Sequence, residues 1–354
     1  MDLFSVVVLC YRNFEYVYEA IQSVLQQEYP CVEIIVSDDG STNFPDQSIE
    51  SYIQEHKGKN IVSVKIRSEK ENQGTVRHLN HNIQEANGKY ICFLAADDVF
   101  YDSQVLSKYA EGFKKDTKGS LIEMAHTAMY DHELQNLEEY YLRPNIQKIL
   151  EAGPDYPQLY QALCYSPCLP STSTCFQKDF FRKYGNFDEN YWLVEDVPLH
   201  LKIAREKIPL HFENFVAIRH RNGGISHGAN KALSKTKYKY FRDIKRYHST
   251  VVEELDQYAP GIKKSILRKY KREGIWLDYQ VYGKSSSFGK KAILIAKHPW
   301  YCIYTILMMY ERILGKASAG IVLGGLIGLV SIPVSYTHLD VYKRQAVHPA
   351  DPGS

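Results

Sequence analysis

Two adjacent carboxylates, Asp97 and Asp98, end the apolar run in the stretch Ile91–Phe100, which reads ICFLAADDVF. A short apolar run of this kind is typical of a strand buried on both faces. The carboxylates then lie at the carboxyl end of the strand, where open α/β sheets bind ligands. Adjacent negative charges repel each other, and a divalent metal ion is the simplest compensation. The alternative is a polar turn in which Asp98 caps the next helix.

Polar clusters also follow two other predicted strands. Tyr11 comes after the β-branched run Phe4–Cys10, and Asp38 and Asp39 come after Val32–Ser37. The carboxyl ends of parallel strands lie at one edge of a sheet, so all these side chains are expected to line a single crevice. The sequence therefore predicts an acidic crevice with an aromatic side chain beside it.

A third acidic pair, Glu195 and Asp196, opens a predicted helix that runs to Glu206. Negative charge is favoured in the first turn of a helix, so ordinary capping is one interpretation. The other is a carboxylate presented at a cleft as a general base. These residues alone favour neither interpretation.

The elements between these motifs alternate between strand and helix, which is typical of βαβ units with right-handed crossovers. We therefore predict an α/β fold. No element is assigned to residues 131–170, which are polar, aromatic and interrupted by proline. Helices are predicted at Glu15–Gln27, Ile49–His56, 72–86, Val105–Lys115 and Lys178–Tyr184, and further strands at Ile61–Arg67, Leu121–Tyr130, Ser171–Gln177 and His211–Arg219.

The composition is that of a globular protein with a sizeable core, with 354 residues, 44% hydrophobic and 24% charged. The formal net charge of +2 argues neither for nor against nucleic acid, and no nucleic-acid partner is predicted. The seven cysteines form no CxxC pair, which favours reduced thiols in a cytosolic protein. A strand is predicted almost at the N-terminus, so no signal peptide is expected.

The C-terminal part differs in character from the rest. Residues 229–316 are predicted to form a basic helical extension, whose charges indicate either a solvated helix face or contact with an anionic membrane surface. Residues 317–334 are almost wholly apolar, at the lower limit for a bilayer span, and could instead form a hairpin or an interfacial anchor. Residues 335–354 look like a translated sequencing-adapter tail. We expect the natural C-terminus to be missing.

Several motifs together resemble family 2 glycosyltransferases of the GT-A fold. SVVVLCYRN, VEIIVSDDGST and the continuous stretch ENQGTVRHLNHNIQEANGKYICFLAADD resemble the family's nucleotide-binding half. FDENYWLVEDVPLHLKIA resembles its acceptor-side "ED" helix. The resemblance covers Phe4–Ser226 in order. It implies a Rossmann-like, mostly parallel sheet with flanking helices, divided into 1–118 for the nucleotide, 119–228 for the acceptor, and the C-terminal segments 229–316, 317–334 and 335–354.

The resemblance also implies roles for single residues. Tyr11 matches the aromatic side chain that stacks on the nucleotide base, and Asp39, with Asp38 beside it, matches the carboxylate that reads the base edge. Asp97 and Asp98 match the metal and ribose motif, with Asp98 as the direct ligand of Mn²⁺ or Mg²⁺. Asp196, or in second place Glu195, matches the catalytic base.

Three departures from the family pattern stand out. The usual DxD motif reads AADD, so its first acid is absent. The arginine often found on the third helix falls on Leu79, and Arg77, two residues earlier, is the candidate for the diphosphate. A histidine is often found where Arg221 stands, and His220 or His227 could serve instead.

The resemblance implies an inverting transferase that moves a sugar from a nucleotide-diphosphate sugar. A UDP-linked donor is the default, and dTDP- or GDP-linked donors fit the same scaffold. The acceptor implied is a saccharide or lipid-linked saccharide in bacterial cell-surface polysaccharide synthesis, at the cytoplasmic face of the plasma membrane. Two alternatives are a non-catalytic nucleotide-sugar-binding scaffold and a flavodoxin-like signalling domain. The absence of GxGxxG after the first strand argues against a dinucleotide dehydrogenase.

Overall fold

The computed structural model describes residues 1–167, 169–222, 235–278 and 288–298. The chain divides into two compact units, residues 1–284 and residues 285–354. In the second unit the described residues form one helix, α11 (Phe288–Lys297). All other helices and strands of the described ranges belong to the first unit.

Four parallel strands form the part of the sheet that the N-terminal half contributes. They are β1 (Phe4–Cys10), β2 (Val32–Asp38), β3 (Ile61–Ser68) and β4 (Tyr90–Ala95), in the order β3-β2-β1-β4. β-branched residues dominate β1 and β2, and almost every side chain in these two strands is buried, as sandwiching between helices requires. Because all four strands run the same way, their carboxyl ends open at one edge of the sheet.

The second half extends the same sheet with strands of both directions. β8 (Thr174–Gln177) lies antiparallel between β4 and β6 (Ile122–Tyr130), and β9 (His211–Arg221) lies parallel to β6. β7 (Leu137–Tyr140) pairs with β6. The two-residue strand β5 (Val99–Phe100) pairs antiparallel with the end of β9. This last pairing brings the final residues of β9 beside the segment that follows β4.

Helices cover both faces of the sheet and divide the core into two layers. The apolar face of α1 repeats every three to four residues and belongs to one layer, and α3, α6 and α8 contribute to the other. The helices are α1 (Val17–Leu25), α2 (Asp46–His56), α3 (Thr75–Glu85), α4 (Val105–Lys115), α5 (Pro144–Glu151), α6 (Tyr156–Tyr165), α7 (Asp179–Tyr184), α8 (Asp196–Glu206), α9 (Lys235–Tyr258) and α10 (Lys263–Asp278), with 3-10 turns at Ser171–Ser173 and Pro260–Ile262.

The structure departs from the sequence prediction in the region 131–170, which contains β7, α5 and α6. Two of its five prolines, Pro144 and Pro157, lie in the first turns of α5 and α6, where a missing N–H costs nothing. The carboxylate of Asp155 also accepts a hydrogen bond from Gln158 N, which caps α6. A proline in the first turn and the Asp155 cap therefore favour the start of a helix and do not interrupt one.

The helices α9 and α10 pack on α6 and α8, in the second half of the sheet domain. Tyr247 and Tyr270 donate hydrogen bonds to the carbonyls of Leu163 and Cys164 at the end of α6, each at 2.9 Å. Their rings lie in the same core layer as α6 and α8. None of the helices in the described ranges is long and apolar enough to cross a membrane. The apolar stretch 317–334 lies outside those ranges, and the domain boundaries predicted from the sequence stay predictions.

Candidate functional site

The ends of β1, β2 and β4 bring two acidic pairs to the same edge of the sheet. Cys10, the last residue of β1, is paired with Asp38, and Leu9 is paired with Ala95 at the end of β4. Burial raises the pKa of the Cys10 thiol, and the charges of Asp38 and Asp97 raise it further. Both neighbouring strands thus deliver a carboxylate to the end of β1.

Asp38 and Asp39 are both buried but have different partners. The carboxylate of Asp38 accepts hydrogen bonds from Ser41 N and Ser68 Oγ, each at 2.7 Å, and so holds the loop after β2. Asp39 accepts from Gln73 N at 2.7 Å and from Gly74 N at 3.0 Å, at the entry to α3. Burial raises the pKa of Asp39 to about 6, although the two amide bonds oppose this shift.

Tyr11 and Arg77 lie on the surface around this edge. Tyr11 is half-buried directly after β1, and the guanidinium carbon of Arg12 lies 5.0 Å from the centre of its ring. Arg12 itself has a left-handed backbone with φ 57°. Arg77, on the first turn of α3, is half exposed and forms an ion pair with Glu189 at 3.3 Å.

Asp98 is fully buried and does not cap a helix. The next helix, α4, begins only at Val105, so the capping alternative for Asp98 is wrong. Instead, its Oδ2 lies 2.9 Å from Nδ1 of His220, and its Oδ1 accepts a hydrogen bond from Arg221 N at 3.1 Å. Burial raises the pKa of Asp97, and the charge of Asp98 adds to that shift.

The imidazole of His220 and the guanidinium of Arg221 surround the acidic segment. Burial lowers the pKa of His220, but the charge and hydrogen bond of Asp98 outweigh it and the net pKa is raised. Arg221 is almost fully buried, and its Nε donates to Asp97 O at 3.1 Å. Its guanidinium also pairs with Glu19 at 2.8 Å and lies 3.6 Å from the ring centre of Tyr16. Sequence reasoning did not identify Glu19 or Tyr16.

The residues beside β4 fit a divalent cation in chemical type. The two carboxylates are hard oxygen donors of the kind that Mn²⁺ and Mg²⁺ prefer, whereas the imidazole nitrogen is a softer donor that suits these ions less well. Each oxygen of Asp98 has one partner, and a carboxylate oxygen has two lone pairs, so capacity for a metal remains. His220 supplies the imidazole, while His227 lies outside the described residues.

A second possible metal-binding group lies at the opposite ends of the strands. Glu123, His211 and Glu213 are the one set of three such residues in the described ranges whose ligand atoms all lie within 4.8 Å of one another. Glu123 is paired with His211 at the start of β6 and β9, about 20 Å along the strands from Asp98. Burial, and then the charge of Glu213, raises the pKa of Glu123 to about 9. A protonated Glu123 bonded to His211 accounts for this group without a metal.

Glu195 and Asp196 lie at the start of α8, where both are half-buried. Glu195 occupies the N-cap position but makes no capping hydrogen bond, and Asp196 accepts from Val197 N at 2.8 Å and from the Ser171 hydroxyl. The interpretation of Glu195 as an ordinary helix cap is therefore wrong. Burial raises the pKa of Glu195 to about 8 and that of Asp196 to about 6, and the charge of Asp196 adds to the shift of Glu195.

Trp192 connects the segment before Glu195 and Asp196 to the crevice. A Cβ atom added to Gly74 would lie 2.6 Å from the indole of Trp192, so the two residues are in direct contact. Val76 N also donates to Trp192 O at 3.3 Å. Asp39 binds the amide of the same glycine, so Asp39 and the segment before Asp196 meet at Gly74.

The comparisons with known proteins agree with this arrangement. Residues 5–160 match the model of glycosyl transferase family 2. The chain is 26% identical over 335 residues to an uncharacterised glycosyltransferase of Rickettsia felis, covering 90% of this chain and 48% of that protein. It is 33% identical over 114 residues to a poly-β-1,6-N-acetyl-D-glucosamine synthase of Staphylococcus epidermidis, covering 32% of this chain and 26% of that protein. The chain thus spans about half the length of the R. felis protein, and its match covers about a quarter of the S. epidermidis protein.

Solved structures share the fold. S. aureus TarS in complex with UDP-GlcNAc matches with a TM-score of 0.52 at 15% identity, over 80% of this chain and 71% of that one. A mannosyltransferase from Pyrobaculum calidifontis in complex with GDP-Man and Mn²⁺ matches with a TM-score of 0.52 at 14% identity, over 91% and 86%. The fold is that of GT-A glycosyltransferases, and residues 5–160 are the part of the chain that matches glycosyl transferase family 2.

Proposed function

We propose that this chain transfers a sugar from a nucleoside-diphosphate sugar to a hydroxyl group of a saccharide or lipid-linked saccharide, with inversion at the anomeric carbon. One observation carries the proposal. Asp39 and Asp98 follow the two strands that flank β1, and the segment leading to Asp196 contacts the same glycine that Asp39 binds. A donor and an acceptor held in that crevice have carboxylates on both sides.

The donor is a UDP-sugar in the first instance, with dTDP- and GDP-sugars as the other candidates. The half-buried ring of Tyr11 offers a stacking surface, and Asp39 offers oxygens for the base edge. The TarS and mannosyltransferase structures hold UDP-GlcNAc and GDP-Man, which supports a nucleotide-sugar in this fold. Arg77 is assigned to the diphosphate, and this requires it to leave its ion pair with Glu189.

Asp98, Asp97 and His220 would hold a divalent ion. Lewis-acid stabilisation of the leaving diphosphate is the chemistry that Mn²⁺ or Mg²⁺ supplies when bound. Arg221 keeps this segment in place, because it bonds both the carboxylate of Asp98 and the backbone carbonyl of Asp97.

Asp196 acts as the general base. Burial raises the pKa of both carboxyls, and the charge of Asp196 raises the pKa of Glu195 further, so Asp196 is the carboxyl of the pair that ionises more readily. The acceptor hydroxyl gives its proton to Asp196 while its oxygen forms a bond to the anomeric carbon. The bond from that carbon to the diphosphate breaks, and the electron pair leaves with the diphosphate. A single direct attack from the opposite face inverts the configuration.

The acceptor belongs to bacterial cell-surface polysaccharide synthesis at the cytoplasmic face of the membrane. Similarity to the S. epidermidis synthase supports a polysaccharide product. One face of α10 presents Lys264, Arg268, Lys271 and Arg272 to solvent, and basic side chains of this kind are attracted to anionic lipid.

The test is a panel of nucleotide-sugars, each with Mn²⁺ and then with EDTA, measured by thermal shift and by nucleoside-diphosphate release. We expect one donor to give a metal-dependent rise in melting temperature and acceptor-dependent release. Asp98→Ala should lose both, while Asp102→Asn, four residues further along the chain, should keep both. A thermal shift without release would instead favour the non-catalytic scaffold. No shift with any donor would contradict both functions.

A further inference from the structure

One face of α9 contacts the segment Tyr191–Val194, which leads directly into the acidic pair at the start of α8. Lys239, Asp243 and Arg246 are spaced four and three residues apart, so they lie on one side of the helix. Nζ of Lys239 lies 3.2 Å from the ring centre of Trp192, and the guanidinium carbon of Arg246 lies 6.0 Å from that of Tyr191. Three side chains of this face therefore converge on one short segment.

Asp243 makes the central contact. Its Oδ2 accepts hydrogen bonds from the consecutive amides of Trp192 and Leu193, each at 2.7 Å, and from Val194 N at 3.4 Å. The residue has no exposed surface. Successive amides that point at one oxygen form an anion-binding concavity, and here a carboxylate from a distant helix occupies it. Bonds to a charged acceptor are short and strong, so this arrangement fixes the backbone before the acidic pair.

The other oxygen of Asp243 adds to the specificity of this contact. Oδ1 is buried and has no hydrogen-bond partner in the described ranges, and NH2 of Arg242 lies 3.5 Å from it. Asp243 thus faces its neighbour on α9 with one oxygen and directs the other at three amides of another element.

We propose that α9 is part of the acceptor site, with Asp243 as a positioning residue that sets the segment Tyr191–Val194 and thereby the place of Asp196. This inference rests on the proposed function for the role of Asp196. The anchoring of the segment Tyr191–Val194 by Asp243 does not depend on the proposed function. The charge on Asp243 therefore affects turnover mainly through the position of the base, while Asp39 and Asp98 in the donor crevice keep their own hydrogen bonds and Asp39 meets this segment at Gly74.

The experiment compares Asp243→Asn with Glu254→Gln in the full chain. Glu254 lies on the same helix and bonds Arg205 at 2.6 Å and Tyr160 at 3.0 Å, at the other end of α8. Both changes remove a buried or half-buried charge of α9, but only the first touches Tyr191–Val194. We expect Asp243→Asn to lower kcat by about 10- to 100-fold with donor KM within about twofold, since small misplacements of a reacting group cost that much. Glu254→Gln should leave kcat within about twofold.

Hydrogen exchange of the amides of residues 192–194 tests the anchoring without any activity. These amides should exchange at least about tenfold faster in Asp243→Asn than in the native chain and be unchanged in Glu254→Gln. If the native chain transfers no sugar, this measurement still tests the anchor, and only the link to Asp196 falls. Lys239→Met, which removes the cation over Trp192, serves if Asp243→Asn does not fold, and a smaller loss of kcat is expected. Unchanged exchange, or faster exchange with native kcat, would overturn the proposal.

Discussion

Nδ1 of His220 lies 2.9 Å from Oδ2 of Asp98, and this contact joins the end of β9 to the segment between β4 and β5. The family pattern has a histidine where Arg221 stands, so the imidazole beside Asp98 is displaced by one residue along β9. Strand side chains alternate between faces, and the pairing of β5 with β9 decides which residue meets Asp98. The imidazole of His220 therefore contacts the carboxylate of Asp98, and the guanidinium of Arg221 donates to the backbone carbonyl of Asp97.

The role of His220 can be tested with His220→Gln. We expect the concentration of Mn²⁺ at half-maximal activity to rise about 10- to 100-fold, which is typical when a ligand or its supporting partner is removed. His211→Gln, in the group at the other end of β9, is the control and should leave the Mn²⁺ dependence unchanged. If His211→Gln alone weakens metal binding, the essential ion lies with Glu123 and Glu213 and our assignment to Asp98 is wrong.

The base assignment predicts a pH dependence for kcat. Asp196 must be ionised to accept a proton, so kcat should fall about tenfold per pH unit below about pH 6, the value to which burial raises its pKa. Asp196→Asn should lower kcat by about 100- to 10,000-fold. Glu195→Gln is the matched control, because this variant keeps the carboxylate of Asp196, and it should retain most activity. The reverse pattern would assign the base to Glu195.

The contact between Gly74 and Trp192 predicts a cost that is larger than backbone strain. Gly74 and Gly185 have φ +86° and +87°, with ψ of 156° and 167°, a region that side chains avoid. Gly185→Ala meets no atom within 4 Å, so it should cost only the strain, about 1–3 kcal/mol. Gly74→Ala adds a clash with the indole and should destabilise further and lower kcat. Denaturant unfolding of both variants measures the difference, and equal losses would contradict a tight Gly74–Trp192 contact.

Two buried glutamates, Glu123 and Glu33, should make the free energy of unfolding depend on pH in opposite directions. The pKa of Glu123 is raised to about 9, so its contribution to stability is present below about pH 4.5 and is lost as the pH rises towards 9. Although burial raises the pKa of Glu33, its bonds to Ser5, Asn87 and Lys65 outweigh burial and the net pKa is lowered. Its contribution is therefore present at neutral pH and is lost as the pH falls below the usual range of a glutamate.

Substitution by Gln separates the two signs. Glu123→Gln should reduce the difference in unfolding free energy between pH 6 and pH 9 by about 2–4 kcal/mol, since one pKa unit corresponds to about 1.4 kcal/mol. Glu33→Gln should destabilise at pH 7 and approach the native stability near pH 4. Denaturant titrations at pH 4, 6, 7 and 9 provide the test. A pH profile of Glu123→Gln identical to that of the native chain would show that Glu123 is charged in the folded state, as a bound cation would require.

Local patterns in the sequence were sufficient to predict most elements of the sheet. The strand Phe4–Cys10 and the helix Val105–Lys115 have the predicted bounds, because runs of β-branched residues and apolar residues every three to four positions express preferences of neighbouring residues. The acidic pairs after β2 and β4 could also be predicted, because parallel strands open at the same edge. The helices in 131–170 were missed because proline at a helix start was taken for an interruption.

The sequence by itself thus determined the family, the strand ends and the types of side chain at the crevice. Only the tertiary structure decided how each side chain is used. Asp38 and Asp39 are adjacent and identical in type, yet one holds its own loop and the other holds the entry to α3. His220 meets Asp98, and Asp243 meets the amides before Asp196, across separations of 122 and about 50 residues. Such contacts follow from strand pairing and helix packing between distant segments, and no pattern of neighbouring residues encodes them.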